Sequence, residues 1–264
     1  MEYVKLGNTG MEVSKLCLGC MGFGEPERGR EKWSIGEAES REVIKKALDS
    51  GINFFDTANL YSAGSSEEIV GKALKDFANR DEIVLASKLY FPMFDGPNAK
   101  GLSRKSIFAE IDHSLKRLQT DYLDLYIIHR WDYGTPIEET MEALHDLVKM
   151  GKVRYIGASS MHAWQFAKAQ FIAEKNGWTK FVSMQNLYNL LYREEEREMI
   201  PLLQDRKVAM TPWSPLAGGR LTRDIGAVTA RTRQAVEANL PAYIVASDNE
   251  IISRVHKLAD ERGI

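Results

Sequence analysis

The 264-residue sequence has no apolar run approaching the ~18 residues that a membrane-spanning helix requires. It has only two cysteines, Cys17 and Cys20, and no Asn-x-Ser/Thr site. A secreted, disulfide-stapled scaffold is therefore excluded, and a reducing, cytoplasmic setting is expected. The opening Met1-Glu2-Tyr3-Val4-Lys5 lacks the apolar stretch of a signal peptide. No basic block occurs: 35 Lys+Arg stand against 37 Asp+Glu, a net charge of −2. Neither a nucleic acid nor an anionic membrane is an expected partner. A Gly-x-Gly-x-x-Gly fingerprint after a first strand is also missing. Gly19-Cys20-Met21-Gly22-Phe23-Gly24 is glycine-rich, but its spacing is wrong for a doubly wound nucleotide fold.

What is present is an alternation. Tyr3–Leu6 and Met11–Val13 read as a hairpin about the turn Gly7-Asn8-Thr9-Gly10. Short apolar runs follow at Leu16–Gly19, Asn53–Ala58, Ile83–Leu89, Tyr122–His129, Val153–Ser159, Phe181–Asn186 and Val208–Trp213. Several lack period-2 alternation, as strands buried on both faces do. The intervening segments Ser40–Ser50, Ser103–Leu118 and Ile137–Met150 carry apolar stripes at helical spacing. Strand starts roughly thirty residues apart, in one unbroken series, predict a single α/β domain over residues 1–264, a (β/α)8 TIM barrel preceded by a β-hairpin. The series stops at seven. A polar loop is expected from Trp213 to about Ser247, then a helix over Glu250–Gly263. The last βα unit is missing from this pattern. Two strand edges are thereby left open, and association of copies through them is expected.

In such a barrel, the C-terminal strand ends form the active-site mouth. Here they carry Asp56, with Tyr61 five residues on, then Lys88, then His129. Each alone could be a helix cap, a snorkelling rim residue or a satisfied core histidine. Burying all of them unpaired would cost several kcal/mol each, so the economical arrangement is that they meet. A lysine ammonium at ~4 Å and an effective dielectric of ~20 contributes roughly 4 kcal/mol, about three pKa units. On that arithmetic Lys88 lowers the Tyr61 pKa and makes the phenol a usable acid. Asp56 holds the lysine, and His129 can hydrogen-bond a substrate oxygen. A tyrosine acid without a metal suits carbonyl reduction, with hydride from a cofactor because no side chain supplies one.

The segments Asn53-Phe54-Phe55-Asp56-Thr57-Ala58 with Tyr61, Ala86-Ser87-Lys88 and Ile127-Ile128-His129 resemble the aldo-keto reductase superfamily. Ile156–Ser160, Met184-Gln185-Asn186 and Pro212-Trp213-Ser214-Pro215-Leu216 agree. His129-Arg130-Trp131-Asp132 and Arg193–Glu198 are similar to the bacterial group that includes aryl-alcohol dehydrogenases and potassium-channel β-subunits. The resemblance implies NADP(H)-dependent reduction of aldehydes or ketones, with Asp56, Tyr61, Lys88 and His129 as the catalytic set. Ser159, Ser160 and Gln185 would hold the nicotinamide carboxamide, and Trp213 would stack on its ring. Ser214, Pro215, Leu216, Gly218 and Arg220 would wrap the pyrophosphate, and Met21 and Gly22 would line the ribose side. Phe23, Trp33, Tyr90, Arg130 and Trp131 are the expected substrate-pocket walls.

Against this family pattern the chain reads as C-terminally truncated. The part that grips the adenosine 2′-phosphate is the part expected to be missing. Two other functions fit some of the same residues. One is a nicotinamide-sensing regulatory subunit similar to the channel β-subunits. The other is a lyase or isomerase using Lys88 as a Schiff-base nucleophile. Cys17-Leu18-Gly19-Cys20 reads as small hydrophobes on a first strand, not as a redox pair. Arg193–Arg197 reads as a solvated helix start.

Overall fold

A computed structural model describes residues 1–237 and 247–263. The chain opens with an antiparallel hairpin, β1 (Tyr3–Lys5) and β2 (Glu12–Ser14). Parallel strands and helices then alternate: β3 (Cys17–Gly19), α1 (Glu37–Asp49), β4 (Phe54–Asp56), α2 (Ser65–Phe77), β5 (Val84–Leu89) and α3 (Arg104–Leu118). The series continues with β6 (Leu123–Ile128), α4 (Ile137–Lys149), β7 (Val153–Ser159), α5 (Ala163–Asn176), β8 (Phe181–Gln185), α6 (Met199–Arg206) and β9 (Ala209–Met210). Two further helices follow, α7 (Ala230–Glu237) and α8 (Asp248–Arg262). Strands β3 to β9 pair in chain order into one parallel sheet, the arrangement of the (β/α)8 TIM-barrel fold. Its edges among the described residues are β3 and β9.

Side-chain alternation sorts the strands into two layers. Phe55, Leu85, Leu89, Tyr126 and Ile128 pack outward against the helices in the larger core. Phe54, Val84, Ala86, Leu125 and Ile127 point inward and form a second cluster with Leu6 and Val13 of the hairpin. The hairpin therefore plugs the barrel floor. Gly7, at φ +57°, sits so close that a Cβ there would lie 2.7 Å from the Ala209 nitrogen. The period of two then fixes the site: Asp56 is two residues beyond Phe54, Lys88 two beyond Ala86, and His129 two beyond Ile127. All three project to the interior at the end opposite the hairpin.

The expected helices are present, with Ser103 capping α3 through the Ser106 amide. The seventh strand is shorter than Val208–Trp213. Only Ala209–Met210 is regular. Thr211 N and Trp213 N still bond Met184 O and Asn186 O, at 2.9 and 3.0 Å, and carry Trp213 to the mouth. The loop expected from Trp213 to Ser247 is corrected over its middle. Residues Ala230–Glu237 form α7, started by reciprocal bonds between Thr229 and Thr232. The rest of that expectation, 238–246, lies outside the described residues. No helix among the described residues is long and apolar enough to cross a membrane. Cys20 is fully buried and Cys17 is exposed on edge strand β3, both as free thiols.

Candidate active site

Lys88 is completely buried, and its ammonium is the hub of the site. Nζ donates to Asp56 Oδ1, to the Thr57 carbonyl at 2.7 Å and to the Tyr61 hydroxyl at 3.2 Å. Three donors thus meet three acceptors in the right number for an ammonium. Burial alone would strip the charge from Lys88. Asp56, followed by Tyr61, outweighs it and holds the pKa above the ordinary lysine value.

Tyr61 departs from the Coulomb arithmetic. Its pKa is raised, not lowered, because burial favours the neutral phenol and Asp56 adds to it. The Lys88 ammonium pulls the other way and loses. The phenol is thus kept protonated at neutral pH, and Lys88 limits the rise. The His129 ring meets Tyr61 edge-on, with centroids 5.9 Å apart. Burial, reinforced by Lys88 and Arg130, holds His129 well below its ordinary pKa, so it is neutral.

The second half of the site comes from β7, β8 and β9. The Ser159 hydroxyl donates to the Gln185 carbonyl at 2.7 Å. Ser160 has φ +52°, a left-handed conformation held by the Asn186 side chain, whose Oδ1 accepts from Ser160 N at 2.7 Å. Trp213 Nε1 donates to Ser160 Oγ at 3.2 Å. Gln185 Nε2 donates to Asp56 Oδ2 at 3.0 Å, which joins this half to the lysine hub. Ser159, Ser160, Gln185 and Trp213 are thus assembled beside the four candidate catalytic residues.

Other expected residues sort differently. Ser214 and Gly218 lie in positive-φ turns after β9, while Pro215 and Leu216 are exposed. The Arg220 guanidinium donates through Nη2 to the buried Asp248 at 2.8 Å. Sequence reading missed Arg223 and Arg231, which flank Gly219 and Gly218 and form no ion pair among the described residues. Burial, and then the neighbouring Arg223, depress the Arg231 pKa. Met21 and Gly22 follow β3, and the Trp33 ring lies against Gly22. Phe23 is buried and pairs with Ile35. Trp33 lies under the Arg231 guanidinium, 5.0 Å from centroid to Cζ.

Tyr90 packs edge-on against Phe91, and Phe91 edge-on against His129 at 5.1 Å. Arg130 stacks over Phe91, and Trp131 tilts against Trp164. Phe91, not Tyr90, is therefore the aromatic nearest the histidine. Glu195, read as part of a solvated helix start, instead turns in to accept from Asn186 Nδ2 at 2.5 Å. Burial raises its pKa. Its link to Ser160 is tertiary, and a run of charges gives no sign of it.

The arrangement is a buried, lysine-centred polar cluster beside a ledge of hydroxyl, amide and indole groups. The ledge groups are of the kind that hydrogen-bond a carboxamide, and Arg223 and Arg231, which form no ion pair among the described residues, are of the kind that hold an anion. The sequence pattern of the Aldo/keto reductase family matches residues 15–264. The chain is 47% identical to the versiconal hemiacetal acetate reductase of Aspergillus parasiticus, covering 100% of this chain and 82% of that protein. It is 45% identical to an aldo-keto reductase of Alternaria alternata, over 99% of this chain and 77% of the relative. It is also 47% identical to an aryl-alcohol dehydrogenase-like protein of Schizosaccharomyces pombe, over 99% and 81%. The chain belongs to the aldo/keto reductase family and is an oxidoreductase of the carbonyl-reducing kind. These relatives are fungal, whereas its motifs had pointed to a bacterial group.

Proposed function

We propose that the chain reduces aldehydes or ketones to alcohols, with NADPH as hydride source and Tyr61 as proton donor. The observation that carries this reading is the buried Lys88 ammonium joining Asp56 to the Tyr61 hydroxyl. The nicotinamide, when bound, supplies a hydride to the carbonyl carbon. Tyr61 gives its proton to the carbonyl oxygen, and the resulting phenolate is stabilised by the ammonium 3.2 Å away. Neutral His129 orients the same oxygen by donating a hydrogen bond.

Ser159, Ser160 and Gln185 receive the carboxamide, and Trp213 covers the ring. Met21, Gly22, Ser214, Pro215, Leu216 and Gly218 shape the channel towards the pyrophosphate, with Arg223 and Arg231 as its counter-charges. The guanidinium pair supports a phosphate-rich cofactor, and NADPH over NADH is the form proposed. Phe91, Tyr90, Trp131 and Arg130 support an aryl or medium aliphatic carbonyl as substrate. Two free thiols support a reducing compartment, the cytoplasm. The Schiff-base alternative is disfavoured because Lys88 keeps its charge and its lone pair is protonated. The regulatory-subunit alternative draws no support from the reductase names of the relatives.

The test is cofactor consumption with a panel of aromatic and aliphatic aldehydes, offering NADPH and NADH separately. Turnover of aromatic aldehydes with NADPH is expected. No oxidation of either cofactor with any carbonyl would overturn the proposal.

A further inference from the structure

We infer that Arg28 is a positioning residue for Tyr61, acting through the strained turn that follows it. The inference rests on Tyr61 being the proton donor, as proposed above.

Tyr61 opens a short 3-10 turn, Tyr61–Gly64, at the entrance to α2. Its next two residues are left-handed: Ser62 has φ 45° and Ala63 has φ 49°, and Gly64 follows at φ +89°. Only glycine adopts that region freely, so Ser62 and Ala63 hold it because their surroundings impose it. The Tyr61 phenol must meet Lys88 at 3.2 Å, and a turn that relaxed would carry it away.

The surroundings come from the loop after β3. Gly24 and Gly29 both lie against Ser62: a Cβ on Gly24 would stand 2.3 Å from Ser62 Cβ, and one on Gly29 would stand 2.4 Å from Ser62 Cα. Ser62 is completely buried under them. Between the two glycines, Glu25 N donates to Ser65 Oγ at 2.9 Å, and Ser65 Oγ donates to the Ser62 carbonyl at 2.9 Å. Arg28 closes the arrangement. Its Nη1 donates to Glu68 Oε2 at 2.7 Å, and its Nη2 donates both to Glu68 Oε1 at 3.0 Å and to the Ala63 carbonyl at 3.1 Å. One planar guanidinium thus fixes the middle of the strained turn to the first turn of α2. A lysine cannot form that fork. The adjacent carboxylate, Glu67, does the corresponding work inward: it takes the Ser87 hydroxyl, one residue before Lys88, and Arg117. Successive glutamates of α2 therefore brace both partners of the Tyr61–Lys88 contact, and Arg28 is the brace on the tyrosine side.

The experiment places 3-fluorotyrosine at position 61 of the full chain and follows its fluorine resonance, alongside kcat, cofactor KM and thermal melting of the unlabelled variants. In Arg28→Ala, the resonance is expected to shift or broaden. kcat is expected to fall about 10–100-fold, the scale for a catalytic group misplaced by about 1 Å, with cofactor KM within about twofold. Arg28→Lys should fall between. Ala63→Gly in the Arg28→Ala background should restore both readouts, because glycine takes the left-handed turn without a brace. An Arg28→Ala protein with an unchanged resonance and kcat overturns the inference. So does a loss of kcat that tracks loss of folded protein and is not restored by Ala63→Gly. Wild-type turnover by Tyr61→Phe would instead overturn the proton-donor reading, and the resonance still reports on Arg28 in that case.

Discussion

Gln185 Nε2 lies 3.0 Å from Asp56 Oδ2, so one side chain of the proposed cofactor ledge also completes the solvation of the carboxylate that holds Lys88. Asp56 thereby spends one oxygen on the ammonium and the other on an amide. Gln185→Leu should remove a hydrogen bond from a carboxylate that is 7% exposed, costing about 1–3 kcal/mol of stability, as well as weakening cofactor binding. Denaturant unfolding of the cofactor-free protein checks the first part. A change confined to cofactor affinity would show that the Asp56 contact is incidental.

Tyr61→Phe should reduce carbonyl turnover by about 10²–10⁴-fold, the range for loss of a general acid. Its ring, and hence the contact with His129, is retained, so cofactor affinity should be nearly unchanged. Single-turnover kinetics with a fluorescence titration of the cofactor separates the two effects. Retention of the parent rate would remove Tyr61 from the mechanism.

Lys88→Met leaves Asp56 buried without its counter-ion. Breaking one partner of a buried pair costs about 3–5 kcal/mol, which should appear as a large drop in Tm. The sign for Tyr61 follows from its surroundings. Lys88 is the group that lowers the phenol pKa against burial, so losing it should drive that pKa further up. Any residual activity should then extend to higher alkaline pH at a lower maximum. An alkaline limb that moves to lower pH would contradict this.

His129 is held neutral by burial, with its pKa below the unfolded value of about 6.5. The unfolded chain therefore binds the extra proton first as pH falls, and the folded state loses stability below about pH 6.5. Above that value both states are neutral and the contribution vanishes. His129→Gln should accordingly narrow the Tm difference between about pH 7.5 and pH 5.5. An unchanged difference would mean that other groups dominate the acid limb.

Gly71 tests the packing that carries these elements. A glycine inside a helix is usually improved by alanine, by about 0.5–1 kcal/mol. Here a Cβ would stand 2.5 Å from the Leu118 carbonyl oxygen and 2.6 Å from its Cα, where α2 crosses the end of α3. Gly71→Ala should instead destabilise by about 1–3 kcal/mol through overpacking. Thermal melting of the variant decides the sign.

Much of the site was legible because of where apolar runs stop. A strand buried on both faces is apolar throughout, so Asp56, Lys88 and His129 stand out at the points where that pattern breaks. Ser159, Gln185 and Trp213 sit at corresponding points of later strands and were legible through motif resemblance. Other features had no such marker. Glu195, Arg223 and Arg231 look like ordinary surface charges until folding sets them beside Asn186 or beside Gly218 and Gly219. The α7 helix was hidden in a polar stretch, although Thr229 and Thr232 carried its start signal.

The sequence by itself determined the order of strands and helices, the hairpin before them and the four polar residues at the mouth. These depend on local periodicity and on the cost of burying polar groups. Tertiary structure decided the direction of the Tyr61 pKa, because burial and Asp56 outweigh a lysine whose effect alone points the other way. It also decided that Arg220 donates to Asp248, that Phe23 is buried and that Arg28 grips the turn behind Tyr61. Each of these is a distance between segments far apart in the chain, and no local pattern encodes it.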